Sequence, residues 1–444
     1  MSFKIGLVSL GCAKNQTDAE TMLSLLSNDG YEIVSDPEEA NIIIVNTCGF
    51  IDSAKQESID AILEMAEYKA GNCKLLIVTG CLAERYCDDI LEQLPEVDAV
   101  LGTGDYDRIC EVITAAFSGT DKPCITGNID RTPECSLPRT LLTPPHSAYL
   151  KIADGCDNNC TYCAIPKIRG HFRSRAKEDI LAEAKDLAQR GVKELILIAQ
   201  DTTRYGTDID TTLAELLDEL AEIEGIEWIR VHYYYAEAIT KELIDTMAKR
   251  NKICNYIDMP IQHADNHILR RMARRTTVEE MNEKIAYIRK TLPDCYIRTS
   301  IIVGFPGETD EHFNNLYEFV KNTRFDRMGV FAYSCEEGTP AAQFPDQVDD
   351  KIKQKRLDAL MSLQQSISLE LNREKIGKVI DVIVEGYDAE NYLFYGRSRG
   401  DSIDVDGLVY FGTETEVECG DIIKVKILDA SEYDLTGQRI TEEV

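Results

Sequence analysis

Six of the fifteen cysteines are placed to do chemistry. Three stand in Gly155-Cys156-Asp157-Asn158-Asn159-Cys160-Thr161-Tyr162-Cys163, a C-x3-C-x2-C spacing. Close spacing lets three thiolates reach one iron–sulfur cluster from a single loop. Three ligands rather than four leave one iron open to an exogenous molecule. An open metal position separates a catalytic site from a structural one. The alternatives are a structural zinc site, for which His171 is the nearest fourth ligand, or buried and inert thiols.

The other three are Cys12, Cys48 and Cys81, each at the end of a short apolar run. In an open parallel sheet, ligands sit just beyond the carboxyl ends of the strands. Three cysteines far apart in sequence can therefore converge at that edge. Their neighbours Lys14-Asn15, Asn46-Thr47 and Thr79-Gly80 supply donors that could hydrogen-bond to sulfur and tune its redox behaviour. The remaining nine (Cys73, Cys87, Cys110, Cys124, Cys135, Cys254, Cys295, Cys335 and Cys419) show no such pattern and read as structural.

The elements that must position these residues follow from periodicity. Residues 1–118 alternate short strands (Lys4–Leu10, Asn41–Asn46, Lys74–Thr79, Asp98–Leu101) with helices such as Ala19–Ser27 and Asp52–Tyr68, which predicts a parallel α/β layer. Residues 119–146 carry Pro123, Pro133, Pro138, Pro144 and Pro145 without periodicity and read as a linker. Over 147–373 the alternation restarts, with strands at Ala148–Ile152, Glu194–Ala199, Trp228–His232, Tyr256–Met259, Tyr296–Val303 and Arg327–Phe331. Six βα units predict an open barrel rather than a closed eight-stranded one. A helix over Asp349–Arg373 follows. Residues 374–444 turn to short strands (Val379–Val384, Ile422–Ile427) with glycine turns, as in a small antiparallel β-barrel.

A length of 444 residues suits about three domains. The amino terminus lacks a signal peptide's plan and no apolar run is long enough to span a bilayer. These features point to the cytoplasm, where an odd number of cysteines is not a disulfide framework. The formal charge of −30 argues against a broad nucleic-acid-binding surface and suits a basic partner.

The cysteine loop, with its aromatic Tyr162, resembles that of the radical S-adenosylmethionine superfamily, whose fold is a partial βα barrel. In that superfamily the methionine end of the cofactor chelates the open iron, and one-electron reduction splits the sulfonium to a 5′-deoxyadenosyl radical. The resemblance implies that Tyr162 lies against the cofactor. Ser300-Ile301-Ile302-Val303-Gly304-Phe305-Pro306-Gly307-Glu308-Thr309 looks like the fifth-strand glycine motif near adenine, with Gly304 and Pro306 as cofactor contacts. Arg298 and the pair Gln200-Asp201, read as strand ends on the same rim, are further candidates for cofactor or substrate contact. Ordinary strand-end hydrogen bonding is the alternative for each.

Ser9-Leu10-Gly11-Cys12-Ala13-Lys14-Asn15, Asn46-Thr47-Cys48-Gly49-Phe50 and Thr79-Gly80-Cys81, together with the domain order, resemble the methylthiotransferase family over essentially the whole chain. The resemblance implies a flavodoxin-like first domain, a radical core, a C-terminal barrel of the kind called TRAM, and two four-iron clusters facing one substrate. It also implies S-adenosylmethionine serving as methyl donor and as radical source, with an electron donor such as flavodoxin or ferredoxin. Inserting sulfur at an unactivated C–H bond needs hydrogen abstraction and sulfur delivery held together. No acid–base dyad is required, so His232, His263 and His267 are unassigned and read as satisfied structural histidines.

Two branches of the family differ in substrate: an adenosine beside the transfer RNA anticodon, or the β-carbon of an aspartate in small-subunit ribosomal protein S-twelve. From Glu374 to Val444 there are 17 acidic residues against 7 Lys plus Arg. Such a module repels phosphate and attracts a basic protein. Tyr387, Tyr392, Phe394 and Tyr395 offer contact area or fill the barrel core. Cys48–Lys55, Ala153–Asn158 and Ile257–Ala264 also look like the ribosomal-protein branch. Ala13, where many relatives carry proline, and His232–Glu237 depart from the pattern. The competing readings are a transfer RNA methylthiotransferase, a two-cluster electron-transfer protein, which would need four ligands per cluster, and a zinc-stabilised binding module.

Overall fold

The computed structural model describes residues 3–119, 122–131 and 139–440; Pro133, Cys135 and Pro138 lie outside the described residues. The first domain is a parallel sheet of β1 (Lys4–Ser9), β2 (Glu32–Val34), β3 (Ile42–Thr47), β4 (Leu75–Gly80), β5 (Ala99–Leu101) and β6 (Cys124–Ile125), ordered β2-β1-β3-β4-β5-β6. Helices α1 (Ala13–Asn28), α2 (Asp52–Ala66), α3 (Cys81–Gln93) and α4 (Ile109–Ser118) connect the strands. Strands β3 and β4 are buried throughout, as parallel strands covered on both faces must be.

Periodicity predicts the first helix only from Ala19, yet α1 starts at Ala13, directly after Cys12. Its first turns are polar, but Lys14, Asn15, Thr17 and Asp18 are buried. They face the second domain, so the rule that polar means exposed fails there. Inside the expected linker, Cys124–Ile125 pairs parallel with β5 as a two-residue edge strand too short to show a period. Cys124 is also joined to Cys87 of α3 by a disulfide, with Cα atoms 6.4 Å apart. That bond gives a partner to two cysteines read as structural: α3 and β6 both lie against β5, and the shared neighbour brings the thiols together. The linker's far end is pinned by Arg139, which pairs with Glu20 at 2.6 Å and donates to the carbonyl of Tyr149.

The second domain carries six parallel strands in two runs. Strands β7 (Ser147–Lys151), β10 (Glu194–Ile198) and β11 (Trp228–Val231) form one, and β12 (Tyr256–Asp258), β13 (Tyr296–Val303) and β14 (Arg327–Ala332) the other. An Ile229–Ile253 bridge links them into the expected open barrel. A two-stranded ribbon, β8 (Ala153–Asp154) with β9 (Arg173–Ser174), brackets the cysteine loop and the short helix α5 (Ile165–Arg169). Outside run α6 (Lys177–Gln189), α7 (Leu213–Leu220), α8 (Lys241–Lys249), α9 (Asn266–Arg271), α10 (Val278–Thr291), α11 (Asp310–Thr323) and α12 (Asp350–Arg373). Alternate strand residues such as Leu195, Leu197, Ile229, Val231 and Ile297 join the helices in one apolar core.

The other alternation mixes charged residues such as Glu194 and Arg230 with Tyr149, Ile196 and Ile198, and meets the third domain. Strands β15 (Val379–Asp388), β16 (Leu393–Ser398), β17 (Val409–Gly412), β18 (Ile422–Ala430) and β19 (Leu435–Arg439) close a barrel ordered β15-β16-β17-β19-β18. It is not wholly antiparallel as expected, because β17 and β19 pair parallel. Directions cannot alternate around a ring with an odd number of strands, so one pair must be parallel. The segment after β16 enters the half-barrel. Arg397 binds Glu194 at 2.6 Å, Asp401 binds Arg327 at 2.6 Å, and Tyr256 donates to Asp406 at 2.7 Å. Ser402 meets the His232 ring at 2.8 Å, and Ile403 packs on Tyr149, Ile196 and Ile198.

Glu194 is fully buried between Arg397 and Arg230. Burial opposes its charge, but the two guanidiniums hold its carboxyl down at about 2. Glu194→Ala strands buried Arg230 and leaves Arg397 with Glu385 alone; it is expected to cost about 3–5 kcal/mol, read as a lowered thermal midpoint and faster proteolytic release of the C-terminal barrel. Burial also depresses His232, to about 3. The folded chain then binds fewer protons than the unfolded one between about pH 6.5 and pH 3, so stability falls as pH drops through that window, by up to about 1.4 kcal/mol per unit. His232→Asn is expected to remove that slope from the urea midpoint of the cluster-free protein.

Candidate functional site

The first triad forms where three loops of the N-terminal sheet touch. Cys12 caps α1, Cys48 follows β3, and Cys81 opens α3. Gly11 has φ +89°, and a Cβ there would lie 2.9 Å from the Cβ of Cys48. A Cβ on Gly49 would lie 2.8 Å from the backbone nitrogen of Leu82. Only glycine lets these loops close. Asn15 ties two of them by donating to the carbonyls of Leu10 and Thr47, and Ser58 accepts from the Cys48 N–H. Arg85 braces the Cys48 loop through the carbonyl of Gly49 at 2.7 Å and reaches Glu336 of the second domain.

The second triad lies on the loop between β8 and α5. Cys156 donates its N–H to the carbonyl of Gly170, and Cys163 donates to that of Cys160. Thr161 fixes the loop's middle on the carbonyls of Met272 and Arg271. The hydroxyl of Tyr235 lies 3.1 Å from the sulfur of Cys160, and Arg274 stacks over the Tyr235 ring at 4.0 Å.

The two triads abut. Cys81 packs directly on Ala164, the residue after Cys163, and on Ile168 of α5. At the end of α5, Arg169 turns back into the first domain. It binds Asp18 at 2.6 Å, Asp154 at 3.4 Å, the side-chain oxygen of Asn15 at 3.4 Å and the sulfur of Cys81 at 3.8 Å. Sequence reading missed Arg169, Arg274 and Tyr235. Their signal was a cationic or hydrogen-bonding side chain one element away from a cysteine, which only the fold makes near.

Burial pushes the thiols of Cys48, Cys81 and Cys163 up, Cys81 to about 12, and that of Cys156 to about 11. Cys12 differs: burial opposes its ionisation, but Lys14, Arg169 and backbone N–H groups hold it below its ordinary value. Buried thiols of this kind become thiolates when a metal supplies the counter-charge. In neither triad do all three sulfurs lie within 4.8 Å of one another; among the described residues that closeness occurs only for Cys87, Asp88 and Cys124. Tetrahedral zinc, at about 2.3 Å per Zn–S bond, draws its sulfurs closer than that. Three thiol donors with a position left open are the donor set of a four-iron cluster, whereas structural zinc takes four protein ligands.

The candidate cofactor contacts divide. Tyr162 meets the Phe305 ring edge-on at 6.5 Å, so the cysteine loop and the Gly304–Pro306 turn share one wall. The Gly304 N–H donates to Glu308, and the Pro306 carbonyl accepts from Arg271. Gln200 donates to Asp154 at 2.8 Å while its buried oxygen has no hydrogen-bond partner, leaving an acceptor free beside the loop. Asp201 accepts from Asn158 at 2.8 Å. Arg298 is the exception. It sits near the start of β13, far from the Gly304 end, and its guanidinium is taken by Asp258 and Asp406.

The histidines also divide. His232 is satisfied by Ser402, and His267 stacks on His312 at 5.2 Å. His263 is not satisfied as expected: both ring nitrogens are buried without a hydrogen bond, the nearest carboxylate being Glu308 at 3.4 Å. Beside Cys12, Lys14 lies 3.4 Å from the centroid of Tyr233, a residue of the atypical segment held at φ +60°. A cavity of about 320 Å³ opens against Gly11 and Cys12, with Thr143, Pro144 and Asp404 on its other wall.

Three family models match the chain: uncharacterized protein family UPF0004 over 4–102, the radical SAM superfamily over 150–320, and the TRAM domain over 376–440. The ribosomal protein uS12 methylthiotransferase RimO of Clostridioides difficile (strain 630) is 52% identical over 442 residues, 99% of each chain. The chain belongs to the RimO family. A RimO of Clostridium botulinum (strain Hall) is 51% identical over 98% of this chain and 97% of its own. Among solved structures, the radical S-adenosylmethionine methyltransferase TsrM of Kitasatospora setae aligns with TM-score 0.57 at 13% identity, over 85% of this chain and 79% of that one. That likeness concerns the fold alone. Against this RimO-family framework, Gly11→Ala is expected to push Cys48 aside and lower iron bound after anaerobic reconstitution. Gly30→Ala, with φ +92° but an added Cβ that meets no atom within 4 Å, is the control for backbone strain alone and should leave iron content unchanged.

Proposed function

We propose that this protein is a radical S-adenosylmethionine enzyme that places a methylthio group on the β-carbon of an aspartate in ribosomal protein uS12. The observation that carries the reading is the packing of Cys81 with Ala164 and Ile168, which brings a ligand candidate of the first triad against the element that follows Cys163. Cys156, Cys160 and Cys163 hold one [4Fe-4S] cluster, and Cys12, Cys48 and Cys81 hold a second. When bound, the first supplies hydrogen-atom abstraction with S-adenosylmethionine, and the second supplies sulfur. The chain's own contribution is position. Tyr162 and the Gly304–Pro306 turn line the cofactor side, Gln200 offers its free oxygen there, and Asp201 holds the loop through Asn158. Arg298, engaged by carboxylates of two domains, serves to seat the C-terminal loop.

The acidic C-terminal barrel is suited to a basic protein. Tyr387 and Tyr392 are exposed on the β15–β16 hairpin and offer contact area, whereas Phe394 stacks on Phe411 inside. A reductant of flavodoxin or ferredoxin type supplies electrons, and the enzyme works in the cytoplasm. Among the described residues no helix is long and apolar enough to cross a membrane.

The test is anaerobic reconstitution with iron and sulfide, followed by S-adenosylmethionine, a strong reductant, and either a uS12 peptide or unmodified transfer RNA. A methylthio mass gain on the peptide's aspartate, with untouched RNA, is expected. A gain on RNA alone would overturn the substrate assignment. In parallel, replacing either triad with alanine is expected to remove about four irons per chain. Equal iron in wild type and the Cys12, Cys48 and Cys81 variant would reject the second cluster.

A further inference from the structure

The first triad takes a cation that its own domain does not supply. Arg169 comes from the radical core, is 3% exposed, and points its guanidinium at the sulfur of Cys81 across the domain boundary. Its guanidinium reaches Asp18, Asp154, Cys81 and the side-chain oxygen of Asn15, which ties the Cys12 and Cys48 loops through the carbonyls of Leu10 and Thr47. The second triad has its own cation, Arg274, which stacks over the ring of Tyr235, whose hydroxyl lies 3.1 Å from the sulfur of Cys160.

We propose that Arg169 tunes the N-terminal cluster, raising its reduction potential and leaving that of the core cluster unchanged. The inference rests on Cys12, Cys48 and Cys81 being cluster ligands. A cluster gains negative charge on reduction, so a buried cation and an N–H donor to its sulfur favour the reduced form. The low dielectric of a buried site makes this field strong. Asp18 opposes it: its carboxylate binds Arg169 at 2.6 Å and Lys151 at 2.6 Å and offsets both charges. The two side chains therefore act on one potential with opposite signs. Because Arg169 ends the helix that begins beside Cys163, the N-terminal cluster has this potential only while the two domains are docked.

The test is an anaerobic redox titration of the full-length, two-cluster protein, followed by electron paramagnetic resonance. The signal that disappears when Cys12, Cys48 and Cys81 are replaced by alanine is assigned to the N-terminal cluster. If that variant loses neither iron nor signal, the ligand assignment fails and Arg169 is not at issue. With the signal assigned, Arg169→Gln is expected to move its midpoint negative, Asp18→Asn to move it positive, and Arg169→Lys to restore most of the wild-type value. The core signal stays in place throughout. An unchanged N-terminal midpoint in both Arg169→Gln and Asp18→Asn, or shifts of the same sign, would overturn the proposal. Should Arg169→Gln fail to retain its cluster, the direction of the Asp18→Asn shift alone decides.

Discussion

A buried guanidinium between two carboxylates cannot be left half-paired, and the arrangement of this molecule turns on one such contact. Arg169 leaves α5 of the radical core and is neutralised by Asp18 of the first domain and Asp154 of its own. Removing any partner strands a charge in a medium that solvates it poorly. The first domain can therefore dock in only one register, with Asp18 over Arg169, Thr103 donating to the carbonyl of Ile168, and Lys55 and Arg85 on Glu336. That register puts Cys81 on Ala164. Two sets of thiols on separate domains are made neighbours by a rigid contact rather than by a flexible hinge.

A second buried network does the same for the C-terminal barrel. An eight-stranded barrel fills its interior with layers of side chains, whereas six strands leave a cleft. Here the cleft is filled by the segment after β16. Arg397 at the end of β16 and Asp401, Ser402 and Asp406 of this segment meet Glu194, Arg327, His232 and Tyr256 on the inward face of the strands. The inward alternation is charged where the loop brings charges and backbone groups to satisfy and apolar where Ile403 packs, whereas the outward alternation is apolar because its partners are helices. Asp404, in the same segment, reaches the cavity over Cys12, so the third domain contributes to the surroundings of the first triad.

The net charge of −30 is distributed unevenly in its consequences. The cations near the site are buried and paired inside it: Arg169, Lys151 and Arg139 with Asp18 and Glu20, and Arg298 and Arg327 with Asp258 and Asp401. Much of the remaining acidity faces solvent.

The three-domain order and the open six-stranded core were legible in the sequence, because each follows from a local pattern: strands alternating with helices and a change of period near residue 374. What the sequence could not determine was anything carried by partners distant in the chain. The polar start of α1 looked like loop because its burial partner lies more than a hundred residues away. The two-residue strand β6 and the Cys87–Cys124 bond depend on a shared neighbour, β5. The parallel β17–β19 pair follows only from closing a ring of five. Arg298 looked like a rim residue until its strand was placed and Asp406 arrived from the third domain. Periodicity reports which face of an element is covered, and not by what; the identity of the covering residue belongs to the tertiary structure, where each buried charge must find its counter-charge.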